Sequence, residues 1–316
     1  MVCLYPKNII LSGGVNKGKR QPVPCQECGA CLANKRDDWT IRLKEESRIA
    51  LSGYFITLTY HDSVLPLSDT GFPQLVKKDL QDFMKRLRIS VERMETKKYY
   101  KQMALNSNKV LQFNNRLGIT KAAERIPLRY FAVGEYGSKT ERPHYHVLLF
   151  NLPKSIRNEL HNIWKKGIVH VGTVSSGSIH YCAAYHITAN KKKSFEYERK
   201  PEFVTMSRRP GIGHTYVKEI GKWNQNNQAP YVMMNGFKKR LPRYWKEKLF
   251  NEEERAQMAE QILQDMAAER DKLLATLERS RYQKKHKSWS AYTFLQDQRK
   301  SYSERLKSQI NKSQKL

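Results

Sequence analysis

Two histidines one residue apart, in the run Pro143-His-Tyr-His-Val-Leu-Leu-Phe150, have the type and spacing to do chemistry. The run reads as a strand, and side chains along a strand leave alternate faces. His144 and His146 then share one face, roughly 7 Å apart, with Tyr145 and Val147 on the other. Two imidazoles so placed can share a metal ion. The segment before it, Arg129-Tyr-Phe-Ala-Val-Gly-Glu-Tyr-Gly137, also reads as a strand, with Phe131, Val133 and Glu135 on a common face. A hairpin through residues 137–142 brings Glu135 beside the histidines. Two imidazoles and a carboxylate, with room for a substrate oxygen, suit Mn²⁺ or Mg²⁺. The plainer alternative is a pair of surface histidines on an amphipathic strand.

Three further groups carry chemical potential. Tyr181-Cys-Ala-Ala-Tyr185 has the spacing that puts two phenols on one face of a helix, one turn apart. Ordinary amphipathic packing gives the same pattern. Lys191, Lys192 and Lys193 follow, consistent with a nearby phosphate and equally with a solvated helix end. Arg208 and Arg209 precede Pro210-Gly-Ile-Gly213, a turn whose amides and guanidinium groups can meet phosphates. Cys25, Cys28 and Cys31 are spaced C-x2-C-x2-C, with Cys3 able to return as a fourth ligand. Four thiolates suit structural Zn²⁺, an iron–sulfur cluster being the other option and ordinary reduced thiols the bland one. Cys182, between the tyrosines, reads as a packed helix residue.

Several elements must position these groups. Tyr54–Tyr60 reads as a strand, rich in Phe, Ile, Thr and Tyr. The segment 77–90 reads as a helix, with Val76, Leu80, Phe83, Met84 and Leu87 on one face. The strands 129–137 and 144–151 follow, then a helix over 155–164, a strand over 167–174 and a helix over 178–193; residues 35–50 form an earlier helix. The pattern is α+β, a mostly antiparallel sheet with covering helices. Residues 1–35 form a Cys-rich segment, 36–250 the main domain and 251–316 a tail. The stretch 251–280 has no Gly or Pro and is expected to be one long helix, with Met258, Ile262, Met266, Leu273 and Leu277 near one stripe. That stripe suits packing back on the protein, or a short coiled-coil contact with a second copy. Residues 281–316 hold 10 basic and 2 acidic residues and read as a frayed, phosphate-attracting end.

The 316 residues carry 58 Lys and Arg against 30 Asp and Glu, a formal net charge of +28. Such self-repulsion argues against an ordinary metabolic enzyme and for a polyanionic partner, nucleic acid above all. A hydrophobic content of 39% excludes a fully disordered basic protein. No run approaches the roughly 20 apolar residues of a membrane span. The N-terminal MVCLYPKNII lacks a signal-peptide pattern, and five cysteines fit a reducing compartment.

Taken in order, the strand Phe55-Ile-Thr-Leu-Thr59, the His-x-His strand and the downstream tyrosine helix resemble the three motifs of HUH endonucleases. More narrowly, the chain resembles the replication initiators of gokushovirus-type microviruses, small single-stranded DNA phages. That likeness rests on Cys3-Leu-Tyr-Pro, the cluster Pro24–Cys31, Trp39 with Arg42 and Glu46, Gly134-Glu-Tyr-Gly137, Met206–Gly213 and Leu241-Pro-Arg-Tyr-Trp245. It covers about residues 1–250.

The resemblance implies an antiparallel sheet of about five strands, a ferredoxin-like variant, with the metal site on its face. It also implies that Tyr181 and Tyr185 act as nucleophiles. One would attack a backbone phosphodiester, giving a 5′-phosphotyrosyl link and a free 3′-hydroxyl. The second would cleave the regenerated junction after one round and release a circle. The implied partners are single-stranded DNA bearing the replication origin, with host helicase and polymerase, in a bacterial cytoplasm. Related initiators often carry a lysine near the second tyrosine; here the position is Ala184, which shifts the phosphate-stabilising role to a residue such as Lys191. Two readings from other classes compete. A zinc-stabilised, non-catalytic single-stranded nucleic-acid binder explains charge and cysteines but gives Glu135, His144 and His146 no task. A non-haem iron oxygenase uses the same ligand types, but neither +28 charge nor paired tyrosines suits it.

Overall fold

The structure, a computed structural model, describes residues 3, 6–13, 15–93, 127–137, 140–188, 198–279 and 304. Its first half contains β1 (Lys7–Ile10), β2 (Arg20–Val23), α1 (Gly29–Ile49), β3 (Gly53–Thr59), α2 (Lys77–Arg93), β4 (Arg129–Tyr136) and β5 (Pro143–Phe150). There follow α3 (Lys154–Arg157), α4 (Leu160–Trp164), β6 (Val169–Thr173), α5 (Ser176–Thr188), β7 (Phe203–Met206) and α6 (Thr215–Glu219). The remainder is α7 (Gly221–Asn226), β8 (Tyr231–Met234), β9 (Phe237–Arg240), α8 (Arg243–Leu249) and α9 (Glu252–Arg279). The chain divides into two compact units, residues 40–219 and residues 1–39 with 220–316, so that α1 gives residues to both.

The unit 40–219 is built on a five-stranded sheet in the order β6-β3-β5-β4-β7. Every pairing is antiparallel. The fold is thus α+β with the expected sheet, consistent with an HUH endonuclease. Alternation does the sorting. Ile56, Leu58, Tyr145, Val147 and Leu149 face one side, where Leu80, Phe83, Met84 and Leu87 of α2 and Trp164 of α4 close a core. Each large apolar side chain fully buried there contributes about 1.5–3 kcal/mol. The other side carries the intervening residues and is covered by α5, which lies against β4, β5 and β7.

A buried polar network pins the core to the register. Tyr145 donates to the Val76 carbonyl at 3.0 Å and accepts from the Val76 amide at 2.9 Å. Its hydroxyl is 2.8 Å from that of Tyr60, which donates to Asp79 at 2.7 Å. Tyr145 thereby fixes the strand position of both neighbouring histidines. Burial pushes its phenol up to about 12.

A second anchor lies around the turn after β7. Arg129 and Glu46, 2% and 3% exposed, pair through contacts of 2.7 and 3.2 Å. Arg129 also donates to the carbonyls of Pro210 at 2.6 Å and Gly211 at 2.9 Å, while Glu46 accepts the Gly213 amide at 2.7 Å. Arg42 donates to the Ile212 carbonyl at 3.0 Å.

Some elements differ from the sequence reading. The helix expected over 155–164 is two short ones, because the turn tightens where Glu159 N bonds Ile156 O at 2.9 Å. Helix α1 starts at Gly29 rather than residue 35 and takes Cys31 into its first turn. Strands β1, β2, β7, β8 and β9 were not expected. The β8–β9 hairpin turns on Asn235-Gly236, both at positive φ, a pair that marks such turns. Helix α9 occupies nearly all of the long helix expected over 251–280. Apart from residue 304, the basic tail 281–316 lies outside the described residues. Among the described residues no helix is long and apolar enough to cross a membrane.

Candidate active site and thiolate cage

The β5 strand does what its alternation requires: Tyr145 and Val147 are fully buried in the core, while His144 and His146 are half-buried on the face beneath α5. The β4 register sets Glu135 directly across from His144. Its carboxylate, 2% exposed, reaches along the strand, and Oε1 lies 2.9 Å from His146 Nε2. On the opposite flank Thr57 pairs with His146, and its hydroxyl is 3.0 Å from Nδ1. Both ring nitrogens of His146 are thereby engaged, which fixes the ring. Phe55 stacks on that imidazole with centroids 5.5 Å apart.

Helix α5 delivers the phenols. The Tyr181 hydroxyl donates to Glu135 Oε1 at 2.8 Å and stands 3.2 Å from His146 Nε2. The Tyr185 hydroxyl is 3.4 Å from that of Tyr181, one turn further along. Tyr181 is half-buried and Tyr185 is 5% exposed. Burial first, then the charge of Glu135, pushes both phenols well above the ordinary tyrosine value. In this arrangement both are held protonated. Cys182 points into the interior, fully buried.

His144 stands apart from this contact, its ring centroid 6.5 Å from that of His146. Burial and the neighbouring His146 hold it below the ordinary histidine value, which keeps a lone pair available. His144 Nδ1 and Glu135 Oε2 are both buried without a hydrogen-bond partner. A small cation would satisfy two such orphaned acceptors, so the donor set suits a divalent ion. The three side chains nonetheless do not converge. Among the described residues, only the four cysteines bring three or more such ligand atoms within 4.8 Å of one another.

Residues 92–193, which include all five of these side chains, match the family model of replication-associated proteins of the ORF2 type. The chain is 26% identical over 298 residues to replication-associated protein ORF2 of Spiroplasma virus 4, covering 88% of this chain and 81% of that one. The chain is related to phage replication-associated proteins. Protein VP4 of Bdellovibrio phage phiMH2K, also replication-associated, is 28% identical over 243 residues, 71% of this chain and 66% of its own. Replication-associated protein ORF4 of Chlamydia phage 1 is 24% identical over 253 residues, 72% and 53% respectively. No solved structure matches.

The relationship to replication-associated proteins directs attention to the basic residues. Lys191 and Lys192 lie outside the described residues. Arg208 and Arg209 are exposed on the turn after β7. The glycine block beside them presents its Gly213 amide to Glu46 rather than outward, so that amide is an internal anchor and not a phosphate contact. The residues that sequence reasoning missed are Thr57 and Phe55 as the flank of His146, and Glu46 with Arg129 as the anchor. Alternation along β3 puts Phe55 and Thr57 on one face, but nothing in the sequence says that β3 lies beside β5.

In the other unit the four cysteines close into a cage. Cys25 and Cys31 sulfurs are 3.9 Å apart, and those of Cys28 and Cys3 are 3.8 Å apart. Backbone amides point at the sulfurs: Cys28 N at Cys25 Sγ, 3.2 Å, and Cys25 N at Cys3 Sγ, 3.4 Å. A tetrahedral ion with Zn–S bonds of about 2.3 Å needs sulfurs about 3.8 Å apart. The cluster can hold a metal ion. The Cys31 thiol, bonded to Cys28, lowers the latter to about 5, while Cys31 itself is pushed up by holding that proton.

Proposed function

We propose that this chain is a replication initiator that nicks and rejoins single-stranded DNA at an origin through a phosphotyrosine intermediate. The observation that carries the reading is the convergence of the Tyr181 hydroxyl, Glu135 and His146 on one face of the sheet. It is supported by the kinship with phage replication-associated proteins and by the +28 charge.

In this reading the Tyr181 oxygen attacks a backbone phosphorus. The bond from phosphorus to the 3′ oxygen breaks, the phosphoryl group stays on tyrosine at the 5′ side, and a 3′-hydroxyl is left to prime synthesis. The phenol proton passes along the existing hydrogen bond to Glu135 Oε1 and balances the proton that the departing 3′ oxygen takes up. A phenol, pKa about 10, leaves more readily than an alkoxide, so the link can be reversed by a later 3′-hydroxyl without another energy source. Tyr181 is the first nucleophile because it touches Glu135 and His146, and Tyr185, one turn away, serves the second cleavage. Thr57 and Phe55 hold the His146 ring. Glu135, His146 and His144 would hold Mg²⁺ or Mn²⁺, which supplies Lewis-acid stabilisation of phosphoryl charge when bound. The α5 shell keeps water from the phenols.

The four-cysteine cage is proposed to hold a structural Zn²⁺, and Arg208, Arg209, Lys191 and Lys192 to meet DNA phosphates. Partners would be the origin strand and the host helicase and polymerase that extend the 3′ end.

Labelled origin DNA, incubated with protein and Mn²⁺ or Mg²⁺ and run on a denaturing gel, tests the reaction. The expected result is a protein-linked DNA band that needs the ion and is lost in His144→Ala. Binding without cleavage, across several origin fragments and both ions, overturns it in favour of a plain nucleic-acid binder.

A further inference from the structure

Resting on the reading of the cysteine cage as a zinc site, we propose that the bound metal is a clasp that holds the C-terminal helix α9 against the N-terminal segment. The cage gathers ligands from three places: Cys3, the Cys25–Cys28 knuckle, and Cys31 in the first turn of α1. The thiols are 3–6% exposed. Two side chains from outside the set pack against them, Ala30 next door and Met266 of α9.

Met266 belongs to the stripe that the sequence singled out. Met258, Ile262 and Met266 follow at four-residue spacing, with Met258 buried and the other two half-buried. A stripe of that kind also suits a coiled-coil partner, but here its last member is seated on the cage of its own chain. The N-terminal segment meets α9 once more, where the Val15 amide donates to Glu252 Oε1 at 2.9 Å. The two attachments are fourteen residues apart, which is about 21 Å of helix.

They are unequal. The Val15 contact is exposed and competes with water, so it contributes little. The Met266 contact is an apolar one on a buried seat, and the seat exists only while four sulfurs are drawn together. Without an ion, sulfurs as close as these crowd lone pairs or thiolate charge against one another, and Cys3 has no covalent tie to the knuckle. Metal loading therefore decides whether α9 is docked.

The test uses the full chain. Zinc content is measured by plasma mass spectrometry, and amide hydrogen exchange is followed in peptides spanning 256–270 before and after chelation. The expected result is bound zinc with slow exchange in α9, and exchange faster by about tenfold or more after stripping, with β5 peptides unchanged. Met266→Glu should keep the zinc and show the same acceleration without chelation. Equal α9 rates in loaded and stripped chain, or a Met266→Glu protein that keeps both zinc and protection, overturns the clasp. A chain that binds no zinc refutes the zinc reading itself, and the clasp with it.

Discussion

Replacing Glu135 by glutamine separates what the carboxylate does for the fold from what it does for the reaction. Glu135 is 2% exposed, with Oε1 shared between Tyr181 and His146 and Oε2 buried without a partner. A buried polar atom left unpaired costs about 1–3 kcal/mol, and more when it carries charge. Glutamine keeps an oxygen for Tyr181 and His146 and removes the charge, but leaves an amide group where Oε2 was. The balance favours the variant by about 1–2 kcal/mol in the absence of metal. For a domain of this size that is a rise in Tm of about 3–6 °C, read by differential scanning fluorimetry in EDTA. Adding Mn²⁺ should then raise the Tm of the native chain and leave Glu135→Gln unmoved. Cleavage should fall about 100-fold or more, on the scale of the several kcal/mol that a Lewis acid supplies. A variant less stable than the native chain in EDTA would refute the reasoning, since Glu135 would then be a structural partner of His146. An unchanged response to Mn²⁺ would refute it as well.

Three further outcomes are expected. Thr57→Val removes the hydroxyl beside His146 Nδ1 and should lower the cleavage rate about 10-fold or more while single-stranded DNA binding holds, with Thr57→Ser restoring the rate; equal rates in both variants would contradict a positioning role. Glu46→Ala leaves Arg129 buried without its carboxylate and should cost about 3–5 kcal/mol in urea unfolding; a loss under about 1 kcal/mol would show the pair to be incidental. Burial, then the nearby Arg240, holds the Lys246 ammonium below the ordinary lysine value. A base depressed in the fold makes the protein less stable wherever the unfolded chain binds the extra proton, and that penalty fades as pH rises toward about 10.5. Lys246→Met should therefore stabilise at pH 7 and lose most of its advantage at pH 10, and an advantage that grows with pH would contradict the sign.

The central strands and their chemistry were legible because period-two alternation is local. His144, His146 and Glu135 could be assigned to one face before any strand pairing was known. The same holds for Tyr181 and Tyr185 at helical spacing, and for the cysteines, whose x2 spacings and return at Cys3 matched the cage. The failures lie where the information is not local. Strand β7 is four residues long and takes its place only by pairing with β4. The Arg129–Glu46 pair joins residues 83 apart in sequence, and no pattern announces it. The glycine block looked like a phosphate loop because its composition is that of one, yet Glu46 takes its Gly213 amide from within. The inequality of the two tyrosines was also invisible, since it depends on how far α5 runs across the sheet and not on spacing.

The most direct test is to trap the covalent DNA–protein product with a labelled origin oligonucleotide, digest it with trypsin, and identify the modified residue by mass spectrometry. The account predicts a 5′-nucleotide on Tyr181 in the first turnover, with Tyr185→Phe retaining the adduct and Tyr181→Phe losing it. A first-turnover adduct on Tyr185, or an adduct that persists in the double Tyr181→Phe, Tyr185→Phe protein, would contradict it.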